Sequence, residues 1–449
     1  MTTVVDGPPV PDAARRREQR AWYWYDWANS AFTTTVVTVF LGPYLTSVAR
    51  QAADGAGFVH PLGIPVRPGS YYAYVVSLSV LLSVVAMPLV GAIADRTQRK
   101  RELLAAFTCV GAVATMGLGL VTGDRYLLGG GLFLVANVCF GVAVVLYHSM
   151  LPQIATPDER DAVSSRGWAM GYLGGGLLLA ANLALYASPG TFGLDAGSAA
   201  RLSLFSAGTW WALFALVSIR GLRDRPPLDG EPANPVGAGF RQLARTLAAM
   251  RAYPKTLLFL AAYLLYNDGI QTVIALAATY GAEELKLPQQ TLIVAVLVVQ
   301  LLAFAGALLL ALLARRYGAK RSILTSLVVW VVAVGLAYFL PAREPLWFFT
   351  LAVLIGLVLG GSQALSRSLF SQLIPPGKEA EYFSVYEISD KGTSWLGPLL
   401  FGLTFQLTGS YRDSIVSLVV FFVAGFTLLA LVPVRAAIRE AGNQVPELV

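Results

Sequence analysis

The stretch that decides the architecture runs from residue 71 to residue 122: YYAYVVSLSVLLSVVAMPLVGAIADRTQRKRELLAAFTCVGAVATMGLGLVT. Two apolar blocks, 71–94 and 103–122, flank a short polar hinge that carries Asp95, Arg96, Arg99, Lys100 and Arg101. Each block holds about 20 residues, the length that crosses a bilayer as an α-helix. A hinge this short and this basic reads as a cytoplasmic turn between two membrane spans. Strands are not a competing reading, because an open sheet cannot sit in lipid and the blocks lack the alternation of a membrane barrel.

The same pattern recurs along the chain. Candidate spans fall at 27–48, 71–94, 103–122, 127–151, 166–187, 201–220, 255–280, 289–313, 321–340, 345–371, 383–409 and 412–433. Hydrophobic residues make up 56% of the 449 and charged residues 13%, about half the usual charged share of a soluble domain. The formal net charge of +7 needs no nucleic-acid partner, because the Lys and Arg residues collect in one set of loops. One side takes Arg15–17, Arg20, the 96–101 run, Arg220, Arg223 and Arg225, Arg315, Arg316, Lys320 and Arg321. The other takes only scattered cations such as Arg50, Arg125 and Arg343. That bias predicts twelve spans with both termini in the cytoplasm. The apolar stretch after the basic N-terminal segment is too long for a signal-peptide core and reads as a retained first span. Cys109 and Cys139 sit inside apolar blocks and read as packing residues.

Five segments follow: a cytoplasmic tail over 1–21, a six-helix bundle over 22–220, a cytoplasmic linker over 221–254, a second bundle over 255–433 and a tail over 434–449. The linker opens on Pro226, Pro227, Pro232 and Pro235; Phe240, Leu243, Leu247 and Met250 then recur at helical spacing beside arginines, as in a helix lying on the membrane surface. The halves echo one another. Gly91 to Arg101 matches Ala311 to Arg321, and Leu151-Pro152 leading to Leu173-Gly174 matches Ile374-Pro375 leading to Leu396-Gly397. Internal repeats of this kind are expected of transporters.

The hinge also resembles the signature loop of the major facilitator superfamily, with Gln98 standing where that pattern has Gly. On this reading Gly91 admits close helix packing, Asp95 faces a neighbouring helix end, and Arg96, Arg99 and Lys100 latch the cytoplasmic gate. The plainer reading is a positive-inside anchor, which needs the cations but not Asp95.

Ionisable residues inside spans are costly and face a cavity or a partner. Asp268 is the deepest, about 20 Å along span 7, flanked by Asn267 and with Gln271 three residues on. It reads as the first candidate for a proton or substrate amine, or else as a buried carboxylate paired with a cation. Asp26 and Asn29 lie about one turn apart at the start of span 1. Gln363 and Arg367 share a face of span 10, and Glu387 stands one turn before Lys391 in span 11. Arg367 suits an anionic substrate group or a salt bridge to Glu387 or Asp268. His148, late in span 4, reads as a hydrogen-bonded histidine or a proton relay. The run Trp22, Tyr23, Trp24, Tyr25 and Trp27 reads as an interfacial belt or a substrate-stacking cage.

Beyond the loop, YDWANSAF at 25–32, LPQIATPDERDAVSSRGWAMGYLGG at 151–175, YNDGIQT at 266–272, GGSQALSRSLFSQLIP at 360–375 and FSVYEISDKGTSWLGPLLFG at 383–402 resemble the vacuole-effluxer-like branch of the facilitator superfamily. Asp390 departs from the pattern, which has a smaller residue there. The resemblance implies an all-α fold of two six-helix bundles and secondary transport, with export of neutral amino acids such as leucine. It carries Asp26, Asn29, Asn267, Asp268, Gln271, Gln363, Arg367 and Glu387 over as motif positions. No phosphate-cradling loop, zinc spacing or nucleophile elbow is present in the sequence, so an enzyme is not expected and no cofactor or metal is implied. Energy then comes from a gradient, a proton gradient among the candidates, or from downhill flow of the substrate. The expected partners are the lipid bilayer and a small-molecule substrate, without nucleic acid, in a monomer residing in the plasma (inner) membrane of a cell. A lipid or drug exporter and a non-transporting membrane sensor stay open as alternatives.

Overall fold

A computed structural model describes residues 12–225, 248–392 and 396–448. The chain is helical; among the described residues the β structure is limited to one isolated bridge, Val59 with Val66. The first helix, α1, is built from Asp12–Ala31, a π-helical stretch Phe32–Phe40, and Leu41–Gln51. Then come α2 (Pro68–Thr97), α3 (Lys100–Gly117), α4 (Tyr126–Ser149), α5 (Arg160–Ala187) and α6 (Ala196–Gly221). The second half holds α7 (Pro254–Glu283), α8 (Gln289–Tyr317), α9 (Ala319–Tyr338) and α10 (Pro345–Gln372). It continues with α11 (Glu379–Gly392), α12 (Leu396–Thr408), α13 (Tyr411–Leu431) and α14 (Val434–Glu440).

Among the described residues eleven helices are long and apolar enough to cross a membrane. The segment expected as a single span over 383–409 is described as α11 and α12, on either side of residues 393–395. Large apolar side chains such as Leu81, Val113, Leu213, Leu301, Leu312 and Val423 are exposed on the outside of the bundle. On a soluble protein so wide an apolar surface would be a liability; on a bundle bathed in acyl chains it is the expected exterior. Cys109 belongs to that exposed surface, not to the core, whereas Cys139 is buried.

Lipid tails supply no hydrophobic drive between helices, so close backbone approach must hold the bundle together. The glycines show where. A Cβ on Gly167 would stand 2.6 Å from an Asp26 oxygen, one on Gly171 2.7 Å from Ser30 Oγ, and one on Gly174 2.7 Å from the Trp27 carbonyl. This stripe presses α5 onto α1. In the second half Gly306 lies against the Leu357 carbonyl and Gly360 against that of Ala303, which presses α8 onto α10. The halves meet where α5 packs on α8 and α10, and where α2 and α4 pack on α11.

Two differences from the expected segments stand at the ends. Helix α1 starts at Asp12, well inside the segment read as a tail, because Gln19 and Arg15 tie it to the 154–159 turn: Gln19 Nε2 donates to the Ile154 carbonyl at 2.9 Å and Arg15 pairs with Glu159 at 3.1 Å. The C-terminal segment also packs down, with Ala437, Ile438 and Ala441 buried. The surface helix expected at 240–250 falls mostly on residues 226–247, outside the described residues.

Candidate functional site between the two halves

A cavity of about 430 Å³ lies between the halves. Its floor, toward the end of the bundle that carries the 96–101 hinge, is formed by Asp26 and Asn29 from α1, His148 from α4, Gln363 and Arg367 from α10 and Glu387 from α11. Above the floor much of the wall is apolar, with Phe140, Val144, Val273, Ile274, Leu292, Val296, Phe348, Leu351 and Ile355, while α1 contributes a hydroxyl-bearing strip. A second, wider cavity of about 1480 Å³ adjoins it, sharing Thr38, Gln271, Ile274, Leu292 and Val296, and leads toward the opposite end, past Tyr44, Asp195 and Glu283.

The wall on α1 owes its shape to a run of β-branched residues. In FTTTVVTVF the Thr hydroxyls compete for backbone carbonyls: Thr33 and Thr34 both donate to Ser30 O, and Thr38 donates to Thr33 O. Such back-bonding loosens the regular ladder, and the helix widens to a π-turn here. Ser30, Thr33, Thr34 and Thr38 consequently line the cavity.

The floor is held by an ion pair that crosses between the halves. Both terminal nitrogens of Arg367 lie 3.3 Å from Asp26 Oδ2, and Tyr147 donates its hydroxyl to the same oxygen at 2.8 Å. Arg367 also donates from Nε to Ser164 Oγ at 2.9 Å and from Nη2 to the Ser164 carbonyl at 2.8 Å. Its guanidinium faces the rings of Trp22, Trp168 and Tyr147 at 4.8, 5.4 and 5.7 Å. A fully buried charge survives only when paired and hydrogen-bonded, and Arg367 is both. The glycine stripe is part of this arrangement, since the Cβ missing at Gly167 would also come 3.1 Å from Arg367 Nη2. Nearby, Glu387 Oε1 lies 2.9 Å from His148 Nδ1, and Tyr172 donates to Gln363 Oε1 at 2.8 Å.

Several site expectations land elsewhere. Asp268 and Asn267 are buried but absent from the cavity lining, whereas Gln271, three residues on, is part of it. Arg367 pairs with Asp26, not with Glu387 or Asp268. The aromatic run is no simple interfacial belt. Trp22 and Tyr25 are fully buried, and Trp22 stacks on Tyr147 at 4.3 Å and donates to the Tyr147 carbonyl at 2.9 Å, because α1 begins early enough to carry the run inward. Nothing in the sequence marks Ser164, Tyr147 or Tyr172 as site residues. The G-x3-G-x2-G spacing at Gly167, Gly171 and Gly174 is the one visible signal that α5 lies tight against α1.

Below the floor the bundle is closed. Asp95 accepts the backbone N–H groups of Ala380 at 3.1 Å and Glu381 at 2.9 Å, at the start of α11. Lys100 Nζ lies 2.8 Å from Asp95 and 3.0 Å from Glu379. Arg160 donates to the Ser371 carbonyl at 3.0 Å and Ser164 to that of Ala364 at 2.7 Å. Gln98 takes the left-handed conformation, φ 54°, that a Gly would adopt freely, and its side chain closes the turn by donating to the Asp95 carbonyl at 2.8 Å. Of the other hinge cations, Arg96 and Arg99 are exposed, and Arg99 pairs with its neighbour Glu102.

A paired, two-bundle channel of helices around a central cavity is the organisation of facilitator transporters, and the sequence model of the vacuole effluxer Atg22-like family matches residues 14–442. The chain belongs to that family. An MFS-type transporter of Bacillus subtilis (strain 168), YxiO, is 30% identical over 96% of this chain and 98% of its own. Autophagy-related protein 22-1 of Penicillium rubens is 27% identical over 97% and 94%. Among solved structures, the proton:xylose symporter XylE superposes with TM-score 0.68 at 13% identity, covering 94% of this chain and 97% of that one. A bacterial homologue of the iron transporter ferroportin, in its outward-facing state, superposes with TM-score 0.61 at 14% identity, over 96% and 99%. This Atg22-like protein is therefore a multi-pass membrane transporter with the major facilitator fold.

Proposed function

We propose that this protein is a proton-coupled secondary transporter that exports a small polar metabolite, a neutral amino acid with an apolar side chain, by alternating access. The observation that carries the reading is the two-part cavity. An amino acid has a charged backbone end and, in the leucine class, an apolar tail; the cavity has Asp26, Asn29 and Gln363 below and largely aliphatic and aromatic walls above, with Gln271 where it meets the wider cavity. Its volume falls in the usual range for small-molecule sites, about 300–1,000 Å³. Asp26 Oδ2 is taken by Arg367 and Tyr147, so on this reading Oδ1 receives the ammonium group and the neighbouring amides the carboxylate. Arg367 already spends its donors on Asp26 and Ser164, so its role on this reading is to hold the floor across the halves. The compact loops and the likeness to the Bacillus subtilis protein favour the plasma membrane as its site of action.

The test is flux of radiolabelled leucine, alanine, a hexose and a lipophilic dye through purified protein in liposomes with an imposed pH gradient. Leucine flux is expected, with the initial rate cut at least about tenfold by Asp26→Asn. Dye flux without amino-acid flux supports the lipid or drug exporter instead. Ligand-dependent thermal stabilisation without any flux supports a sensor.

A further inference from the structure

Two contacts between ionisable side chains join the halves at the cavity floor, and they differ chemically. In the Asp26–Arg367 pair the arginine stays charged at any physiological pH. In the His148–Glu387 pair the imidazole is the one group of the four that ordinarily titrates near neutrality. His148 comes from α4 of the first half and Glu387 from α11 of the second, 2.9 Å apart, with side chains 7% and 6% exposed. Both line the cavity, so solvent entering from its open end reaches them. The imidazole lies between the rings of Tyr147 and Phe383, with centroids at 5.4 and 5.7 Å. Tyr147 in turn ties the pair to Asp26 through its hydroxyl.

We propose that His148 and Glu387 form the proton-binding site that couples a proton to the opening and closing of the bundle; this rests on the alternating-access reading above. A proton from the cavity water binds the imidazole, and the imidazolium–carboxylate pair then clasps α4 to α11 below the cavity. When the proton leaves to water at the hinge end, a neutral imidazole faces the carboxylate, and the attraction that resists separation there weakens. One proton enters from one side and leaves to the other, and no other bond changes. The closed-below state is accordingly favoured at low pH and lost as pH rises through the titration of the pair. The other charges on packed elements are Asp26 on α1, Arg367 on α10 and Asp268 on α7. Toward the hinge stand Asp95, Lys100, Glu379 and Glu381, and α11 itself also carries Asp390 and Lys391. Asp26 and Arg367 neutralise one another, as Asp95 and Lys100 do in their own contact.

The full chain in lipid nanodiscs tests this without any substrate. Spin labels at Glu102→Cys and Arg316→Cys, exposed sites on opposite halves, report separation at the hinge end, with Cys109 and Cys139 replaced by Ser. Between about pH 5 and pH 8.5 the long-distance population is expected to rise at least threefold in a single titration. His148→Gln and Glu387→Gln should flatten that step while Glu387→Asp keeps it with a displaced midpoint. Melting curves of each variant show that it is folded, and His148→Asn serves as the second variant. A titration that survives in His148→Gln or His148→Asn, or a wild-type distance distribution that ignores pH, overturns the assignment. If the titration appears but no amino acid crosses liposomes, the substrate reading fails and the proton site stands; amino-acid flux with no titration gives the reverse.

Discussion

The hinge at 91–101 and its counterpart at 311–321 share a place in their respective halves and behave differently. In the first, Gly91 lies so close to α11 that a Cβ would stand 2.8 Å from the Ala380 carbonyl, and Asp95 takes two N–H groups from the start of that helix. In the second, Ala311 replaces Gly91 and Arg315 replaces Asp95, and Arg315 is exposed. Lys320, which corresponds to Lys100, donates to the Ala430 and Val432 carbonyls at 2.8 Å, within its own half. The first half's counterpart of the start of α11 is the 156–160 turn. There Asp158 accepts the backbone N–H of Glu447 at 3.0 Å, so the C-terminal segment reaches across. The lesson is chemical. A helix N-terminus offers N–H donors and partial positive charge, which a carboxylate accepts and a guanidinium cannot. Repetition of the fold therefore does not repeat the latch.

The largest effect expected is from Asp95→Ala. It strips the acceptor from two buried N–H groups and leaves Lys100 with Glu379 alone, a loss on the order of 3 kcal/mol for a broken buried pair. A melting curve in detergent should show it, together with increased labelling of a cysteine placed at Ser371. The matching change at Arg315→Ala should move neither. Equal effects at both positions would mean the asymmetry between the hinges is not energetic. Gly91→Ala comes next: its methyl group meets a backbone oxygen that cannot rotate away, so about 1–3 kcal/mol of strain is expected, with the same opening at the hinge end. The smallest is Gln98→Gly. Relief of a left-handed backbone, about 1–2 kcal/mol, opposes loss of the hydrogen bond to the Asp95 carbonyl, about 1 kcal/mol. The melting temperature should stay put or rise slightly; a large fall would show that the side-chain bond dominates the turn.

How far the site could be read in advance varies residue by residue. Asp26, Asn29, Gln271, Gln363, Arg367, Glu387 and His148 stand out in the sequence as polar groups inside apolar spans, and all line the cavity. Their pairing was not legible. Helical spacing relates a residue to neighbours three or four positions away, whereas the partner of Arg367 is 341 positions distant. Sequence position favours Asp268 because it sits deep along its helix. Depth says nothing of direction, and three residues of helix turn a side chain through about 300°, leaving Asp268 and Gln271 about 60° apart. That angle separates a packed carboxylate from a cavity-lining amide. The aromatic run shows the same limit in another form: a Trp suits a membrane interface and a buried stack equally, and the early start of α1 decided for the stack at Trp22.

What the amino-acid order settles unaided is the solvent and the unit. Apolar blocks of bilayer length admit only backbone that satisfies its own hydrogen bonds, and in this chain that means helices. The Gly91–Arg101 hinge and its repeat divide those helices into two related halves. Which end is shut, which carboxylate meets which cation, and where the cavity lies are properties of the packed pair of halves. They arise from contacts between α5 and α8 or α10, and between α2 or α4 and α11, between residues far apart in the chain, where local periodicity carries no information and only the three-dimensional approach of the helices does.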